Sequence, residues 1–364
     1  MANKQKVPIV SVNRNKGNRI VSIGTSVPPF ASTQDESFKI LENHYKGKVK
    51  ASSLALAKKV FAHPSVKQRH FGTDDPSELF GEDPDRRVDR FTKWAVRLSC
   101  EASRKAIEAA GLAVRDIAAI AVNTCTGYIC PGISTYVIEE LGLKPDIAAY
   151  DLVGAGCGGA LPNIKLCSSL LNEKPGSAVL SVSVEICSAV FQMDDNISLI
   201  ISNALFGDGA SACVLRGTGP GLELLDYAVI HCPQYRDDIR FVYKSGQLHN
   251  QLTSGLPKIA GKVVADLVAG LLGRNGLSVK DVKHWALHAG GENVINAVKD
   301  GLGLREEQAR WARETLGEYG NMSSPSAIFA LKKAIESGIA PGELGIIIAF
   351  GAGMSAYAML FKKV

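Results

Sequence analysis

The chain has 364 residues, 46% hydrophobic and 21% charged, a composition that excludes disordered and fibrous classes and is large enough for two core-forming units. Lys and Arg number 41 against 36 Asp and Glu, a formal charge of +5; it is spread along the chain, which suits an anionic small ligand and gives no support to nucleic-acid binding. Eight cysteines without a CxxC pair, and no secretory leader, predict reduced thiols in the cytoplasm, no disulfide framework and no zinc site.

In chain order, the most basic stretches are the N-terminal MANKQKVPIVSVNRNKGNR and Lys58 to Arg69, which read as a solvated tail and a solvated helix face. AGLAVRDIAAIAVNTCTG, from Ala110, is a helix end, a turn and a buried strand. AAYDLVG is a second buried β-run; it ends in GAGCGG, an amphipathic helix follows Gly159, and SAVLSVSVE is the next strand. Cys157 in GAGCGG therefore falls at a helix N-terminus, where free N–H groups and the positive end of the macrodipole are expected to lower its pKa and create a nucleophile. Cys100, Cys167 and Cys213 read instead as small core hydrophobes. The same loop fits GxGxxG, but no acidic residue stands about 20 positions on. Glu185 lies 185 − 159 = 26 past Gly159.

Further along, FGDGASACVL starts at Phe206, and NGLSVKDVKHWALHAGGE starts at Asn275. The latter places His288 at the end of a buried strand, before glycines, where it can hold a proton or donate to a thioester oxygen. Asn321, in GEYGNMSSPSAIFAL, can offer amide N–H groups to a developing oxyanion. Leu344 to Phe361 is apolar, but Gly351 and Gly353 interrupt it, so it reads as two buried strands around a turn and no transmembrane span is expected.

Three segments recur in the same order. The Ala110 and Asn275 segments are 275 − 110 = 165 apart, GCGGALPNIKL and GNMSSPSAIFAL are 320 − 156 = 164 apart, and the two FGxGxSA frames are 350 − 206 = 144 apart. Two copies of one α/β unit follow, roughly 1–220 and 221–364, as two sheets packed back to back around shared helices. The shortening predicts extra residues in the first copy between Gly159 and Phe206. The repeat also sets Asn321 opposite Cys157 and pairs the GAGCGG loop with a string lacking its glycines, a second argument against a dinucleotide site.

With GCGGAL, LFGDG, LHAGG and GEYGNMSS in place, the chain resembles the type III polyketide synthases, the chalcone and stilbene synthase family, from about Asn18 onward. That resemblance implies a thiolase-like fold with a layered αβαβα core. It implies Cys157 as acyl-accepting nucleophile, His288 and Asn321 as the decarboxylation and oxyanion pair, and Phe206 as gatekeeper. It also implies acyl-CoA and malonyl-CoA as substrates, no resident cofactor, CoA phosphates near Lys58 to Arg69, and a homodimer with Cys130 at its interface. Cavity positions would be Cys125, Cys187, Val190 and Ser323. Two departures bear on the product: AFGAG at Ala349–Gly353 has alanine where the family's loop has proline, and the second gatekeeper phenylalanine is replaced by one of Leu248, His249 or Asn250. The alternatives are a ketoacyl-carrier-protein synthase of the initiation type, a biosynthetic thiolase that lacks its second cysteine, a cysteine hydrolase and an inactive binding module.

Overall fold

The structure, a computed structural model, describes residues 17–80 and 83–364, so most of the N-terminal basic stretch lies outside the described residues. Strand β1 (Arg19–Ser26) leads into β2 (Ala31–Thr33), helices α1 (Gln34–Tyr45) and α2 (Ala51–Phe61), and β3 (Gln68–His70), which pairs back on β2. Then come α3 (Pro84–Ala109), β4 (Ile117–Asn123), α4 (Ile133–Leu141), β5 (Ala148–Leu152), α5 (Ala160–Glu173), β6 (Ala178–Glu185), α6 (Ile197–Leu205) and β7 (Gly209–Arg216). The chain continues through β8 (Leu222–His231), a hairpin of β9 (Ile239–Lys244) and β10 (Gln247–Leu252), α7 (Leu256–Arg274), β11 (His284–Leu287), α8 (Glu292–Leu302), α9 (Arg310–Tyr319) and α10 (Ser326–Glu336). It closes with β12 (Leu344–Gly351) and β13 (Ser355–Lys363). Local chemistry sets the starts: Thr33 and Glu36 form a reciprocal capping box on α1, and Asp83 caps α3 ahead of Pro84.

The pairing repeats. In the first half β4 is parallel to β6, β6 antiparallel to β7, and β7 antiparallel to β1; in the second, β11, β12, β13 and β8 follow the same sequence. The turns ahead of β4 and β11 are both short 3-10 helices, Val114–Asp116 and Val279–Asp281. The extra residues are where the shortened spacing put them: 23 (186–208) separate β6 from β7 and three (352–354) separate β12 from β13, a difference of 20, equal to 164 − 144 = 20. They contain α6.

Side-chain alternation builds the layers. On β12, Ile347 and Ala349 face inward onto α5 and α10, while Ile346, Ile348 and Phe350 face outward onto α7 and α8. On β7, Cys213 and Leu215 face the same central helices, and Ala210, Ala212 and Val214 face α3. The result is the thiolase-like αβαβα stack. Because both faces of each sheet are covered, the strands read as continuous apolar runs, and the apolar stretch at Leu344–Phe361 is the β12–β13 pair. Among the described residues no helix is long and apolar enough to cross a membrane.

Three expectations need correction. The two sheets are joined edge to edge, since β1 and β8 share two residue pairs, Arg19↔Glu223 and Ile20↔Leu222, and run on as one nine-stranded sheet. AAYDLVG is not buried: β5 is the outer edge strand, and Tyr150 and Val153 are 45% and 61% exposed. An apolar pattern does not say whether its cover comes from the same chain. Finally, Lys58 to Arg69 is only in part a solvated helix face, because α2 stops at Phe61 and Arg69 is 1% exposed.

Candidate active site

Cys157 lies in a 3-10 turn, Gly156–Gly158, directly ahead of α5. Gly156 takes a left-handed φ of +57°, which a side chain would strain. From the other half, the end of β12 presses on the same turn. A Cβ at Gly351 would lie 2.6 Å from the Gly158 nitrogen and 2.8 Å from the Cys157 nitrogen, and closer still to the Ala155 carbonyl.

His288 follows β11 directly, and its N–H donates to the Ile348 carbonyl at 2.9 Å, extending the parallel pairing. Its ring stands edge-on to Phe350, 5.3 Å between centroids. The imidazole is buried, and Nδ1 has no hydrogen-bond partner among the described residues.

Asn321 sits in the turn before α10, in the place Cys157 holds before α5. Its Oδ1 accepts the Ser323 N–H at 2.8 Å, an Asx turn that leaves Nδ2 as the outward group, with a long contact of 3.4 Å to the Gly290 carbonyl. The amide thus presents N–H rather than oxygen. Ser323 has a φ of +56°, a conformation costing on the order of 1 kcal/mol for a non-glycine residue.

Cys157, His288 and Asn321 line one cavity of about 750 Å³, and so do Cys125, Cys187, Val190, Ser323 and Phe206. Every position expected to face the substrate is therefore on its wall. Cys130 is not; it is exposed, away from this wall.

The electrostatics depart from expectation. Burial pushes the Cys157 thiol up to about 12, with Ser323 opposing and the Glu185 charge adding, and burial pushes the His288 imidazole down to about 3. The helix N-terminus does not by itself yield a thiolate here, because desolvation of a fully buried sulfur outweighs it. Burial thus favours the neutral form of each group.

The sequence reading left several residues unassigned. Glu185, fully buried at the end of β6, accepts from Cys125 N (2.9 Å), Thr126 Oγ1 (2.9 Å), Ser324 Oγ (2.7 Å) and Ser323 Oγ (3.3 Å), tying the Cys125 loop to the Asn321 turn. Burial raises its pKa and these donors lower it. Its signal was present: a single charge among eight buried strand positions. Of Leu248, His249 and Asn250, only Asn250 reaches the cavity wall, and its cross-strand partner Phe241 lines the cavity with it. The aromatic ring on this hairpin therefore comes from β9, which no reading of the β10 string alone could reveal.

At the mouth, Lys59, His63 and Ser65 line the opening. Helix α2 has no cap of its own; Asp195 accepts from Lys50 N (3.0 Å) and Ser53 Oγ (2.7 Å) and so caps it from the α6 side.

Residues 31–220 match the family described as FAE1/type III polyketide synthase-like protein, more than half of the chain. The chain belongs to that family. Residues 272–363 match the C-terminal domain of 3-oxoacyl-[acyl-carrier-protein] synthase III. Among curated relatives of this type III polyketide synthase, the 3,5-dihydroxyphenylacetyl-CoA synthase of Streptomyces toyocaensis is 29% identical, covering 94% of this chain and 90% of its own. The α-pyrone synthesis polyketide synthase-like Pks18 of Mycobacterium tuberculosis is also 29% identical, over 79% and 76%. Among solved structures, PKS-I of the brown alga Ectocarpus siliculosus superposes with a TM-score of 0.87 at 28% identity, covering 96% and 98%. The 1,3,6,8-tetrahydroxynaphthalene synthase of Streptomyces coelicolor superposes with a TM-score of 0.88 at 25% identity, covering 95% and 99%. The protein is accordingly an acyl-transferring, condensing enzyme.

Proposed function

We propose that the chain condenses malonyl-CoA iteratively onto an acyl-CoA starter held as a thioester on Cys157, and releases a cyclised pyrone or phenolic product. The observation that carries this reading is the convergence of Cys157, His288 and Asn321, from two halves of the fold, on one cavity. The Cys157 sulfur gives up its proton to His288 and attacks the starter carbonyl; the C–S bond to CoA breaks, and CoA leaves with a proton. Malonyl-CoA then loses carbon dioxide, and the electron pair of the broken C–C bond becomes an enolate whose oxygen is stabilised by the Asn321 amide and His288. The enolate carbon attacks the thioester and Cys157 is expelled, ready to take back the lengthened chain. Ser323, Cys125 and Cys187 shape the wall around it, and Phe206 with Phe241 flanks the way in.

Thioester substrates bring their own activated carbonyl, so this reading requires no metal or resident cofactor. The basic mouth suits CoA phosphates, and the cytoplasm suits CoA substrates and reduced cysteines. We read the chain as two duplicated units, 1–220 and 221–364, and as a homodimer. The open edge of β5, with Tyr128, Tyr150 and Val153 exposed beside it and Cys130 in the adjoining loop, supplies a surface that a second copy would cover.

The carrier-protein-dependent synthase remains a second reading because the C-terminal match belongs to such an enzyme. Purified protein given labelled malonyl-CoA and a panel of acyl-CoA starters should yield cyclised, organic-soluble products identifiable by mass spectrometry. Turnover only with malonyl-carrier protein would favour the second reading, and free carboxylic acids alone would indicate a hydrolase.

A further inference from the structure

Arg69 is a buried cation that the proposed chemistry does not use. Its side chain runs from β3 between the rings of Phe61 and Phe71, with its guanidinium carbon 5.3 and 4.9 Å from their centroids. Burial lowers its pKa to about 9, so it stays charged at neutral pH. Its hydrogen bonds go to neutral oxygens: Nε donates to Gln34 Oε1 (2.9 Å), and Nη1 donates to the carbonyls of Asn203 (2.6 Å) and Phe206 (2.8 Å).

Those carbonyls belong to the end of α6, where the last four lack partners within the helix. Here each is accounted for: the Asn203 and Phe206 carbonyls accept from Arg69, Ala204 from Gln34 Nε2 (2.8 Å), and Leu205 from the backbone N–H of Asn321 (2.9 Å). The Asn321 carbonyl in turn accepts from Gly207 N at 3.0 Å, a parallel bridge between Phe206 and Asn321. A cation at this end also complements the negative pole of α6. Among the described residues no hydrogen bond joins the Cys157 turn to Arg69, Gln34 or the end of α6; the Cys157 side chain meets the Asn321 turn only through the Ser323 hydroxyl.

We infer that Arg69, braced by Gln34, is a positioning residue that fixes the Phe206–Asn321 bridge, and so governs the condensation half of the reaction without governing acyl loading. This rests on the catalytic reading above. Lysine can reach one carbonyl as a point donor but cannot reproduce the fork.

The test separates the two half-reactions in Arg69→Met and Arg69→Lys. Acylation of Cys157 by a starter CoA, followed by intact mass, should stay within about twofold of wild type. Malonyl-CoA decarboxylation should fall by about 10²-fold in kcat with KM little changed, the scale expected when a reacting group is misplaced by about an ångström, with partial rescue in the lysine variant. Adding Arg69→Met to Asn321→Ala should cost nothing further. Loss of both half-reactions in proportion, or multiplied losses in the double variant, would overturn the inference. Should Arg69→Met fail to fold, Arg69→Lys carries the same test with a smaller loss and the same selectivity. A wild type that never acylates Cys157 would count against the catalytic reading alone. Amide exchange then decides the inference: faster exchange at Asn321 in the Arg69 variants supports it, and unchanged exchange overturns it.

Discussion

At the scale of single residues, burial shapes both proton-carrying groups. With the thiol raised to about 12 and the imidazole lowered to about 3, the proposed mechanism needs the Cys157 proton to pass to His288. His288→Ala should therefore shift the pH profile of Cys157 alkylation by iodoacetamide upward by a unit or more; a profile identical to wild type would contradict the pairing. Stability carries a related signature. His288 is neutral in the fold but takes up a proton near pH 6.5 when unfolded, so its contribution is complete above that pH and is lost as pH falls toward 3. Denaturant melts at pH 7 and 5 should show His288→Gln losing about 2 kcal/mol less than wild type over that interval. Phe241 makes a third prediction: Phe241→Ala should widen the range of starters accepted, and an unchanged profile would remove it from the gate.

Elements hold these residues through backbone contacts. The Cys157 turn lies against the end of β12 with no room for a methyl group, so Gly351→Ala should lower the rate of Cys157 acylation more than tenfold while the sheet survives, as circular dichroism would report. An overpacked core position typically costs about 1–3 kcal/mol. At this scale the sequence was most legible. The strand–turn–helix punctuation around GAGCGG, the matched AGLAVRD and NGLSVKD turns and the apolar β12–β13 pair follow from local pattern and glycine placement, and a repeat reports them twice. Glu185 was visible as one charge in an apolar strand, but its partners come from a loop and a turn distant in sequence. Arg69 and Phe241 were not legible at all: Arg69 looks like part of a basic run, and Phe241 matters only once the hairpin register sets it opposite Asn250.

For the whole molecule, the repeated strand pairing explains why Cys157, His288 and Asn321 meet: each half ends its central strands at the same place, and packing the halves about α5 and α10 brings those ends to one cavity. The same architecture leaves β5 as an uncovered edge. Val153→Asp with Tyr150→Arg should convert a dimer to a monomer in analytical ultracentrifugation, and a monomeric wild type would refute the proposed assembly. The exposure of β5 could not be read from AAYDLVG, because burial by a second copy and burial by the same chain select similar residues.

The central claim is that acyl chains are carried on the sulfur of Cys157, and peptide mass spectrometry after brief exposure to an acyl-CoA tests it most directly. The account predicts one acyl mass added to the peptide that contains Cys157, absent in Cys157→Ser along with product formation. An acyl group on a different residue, or full turnover by Cys157→Ser, would contradict it.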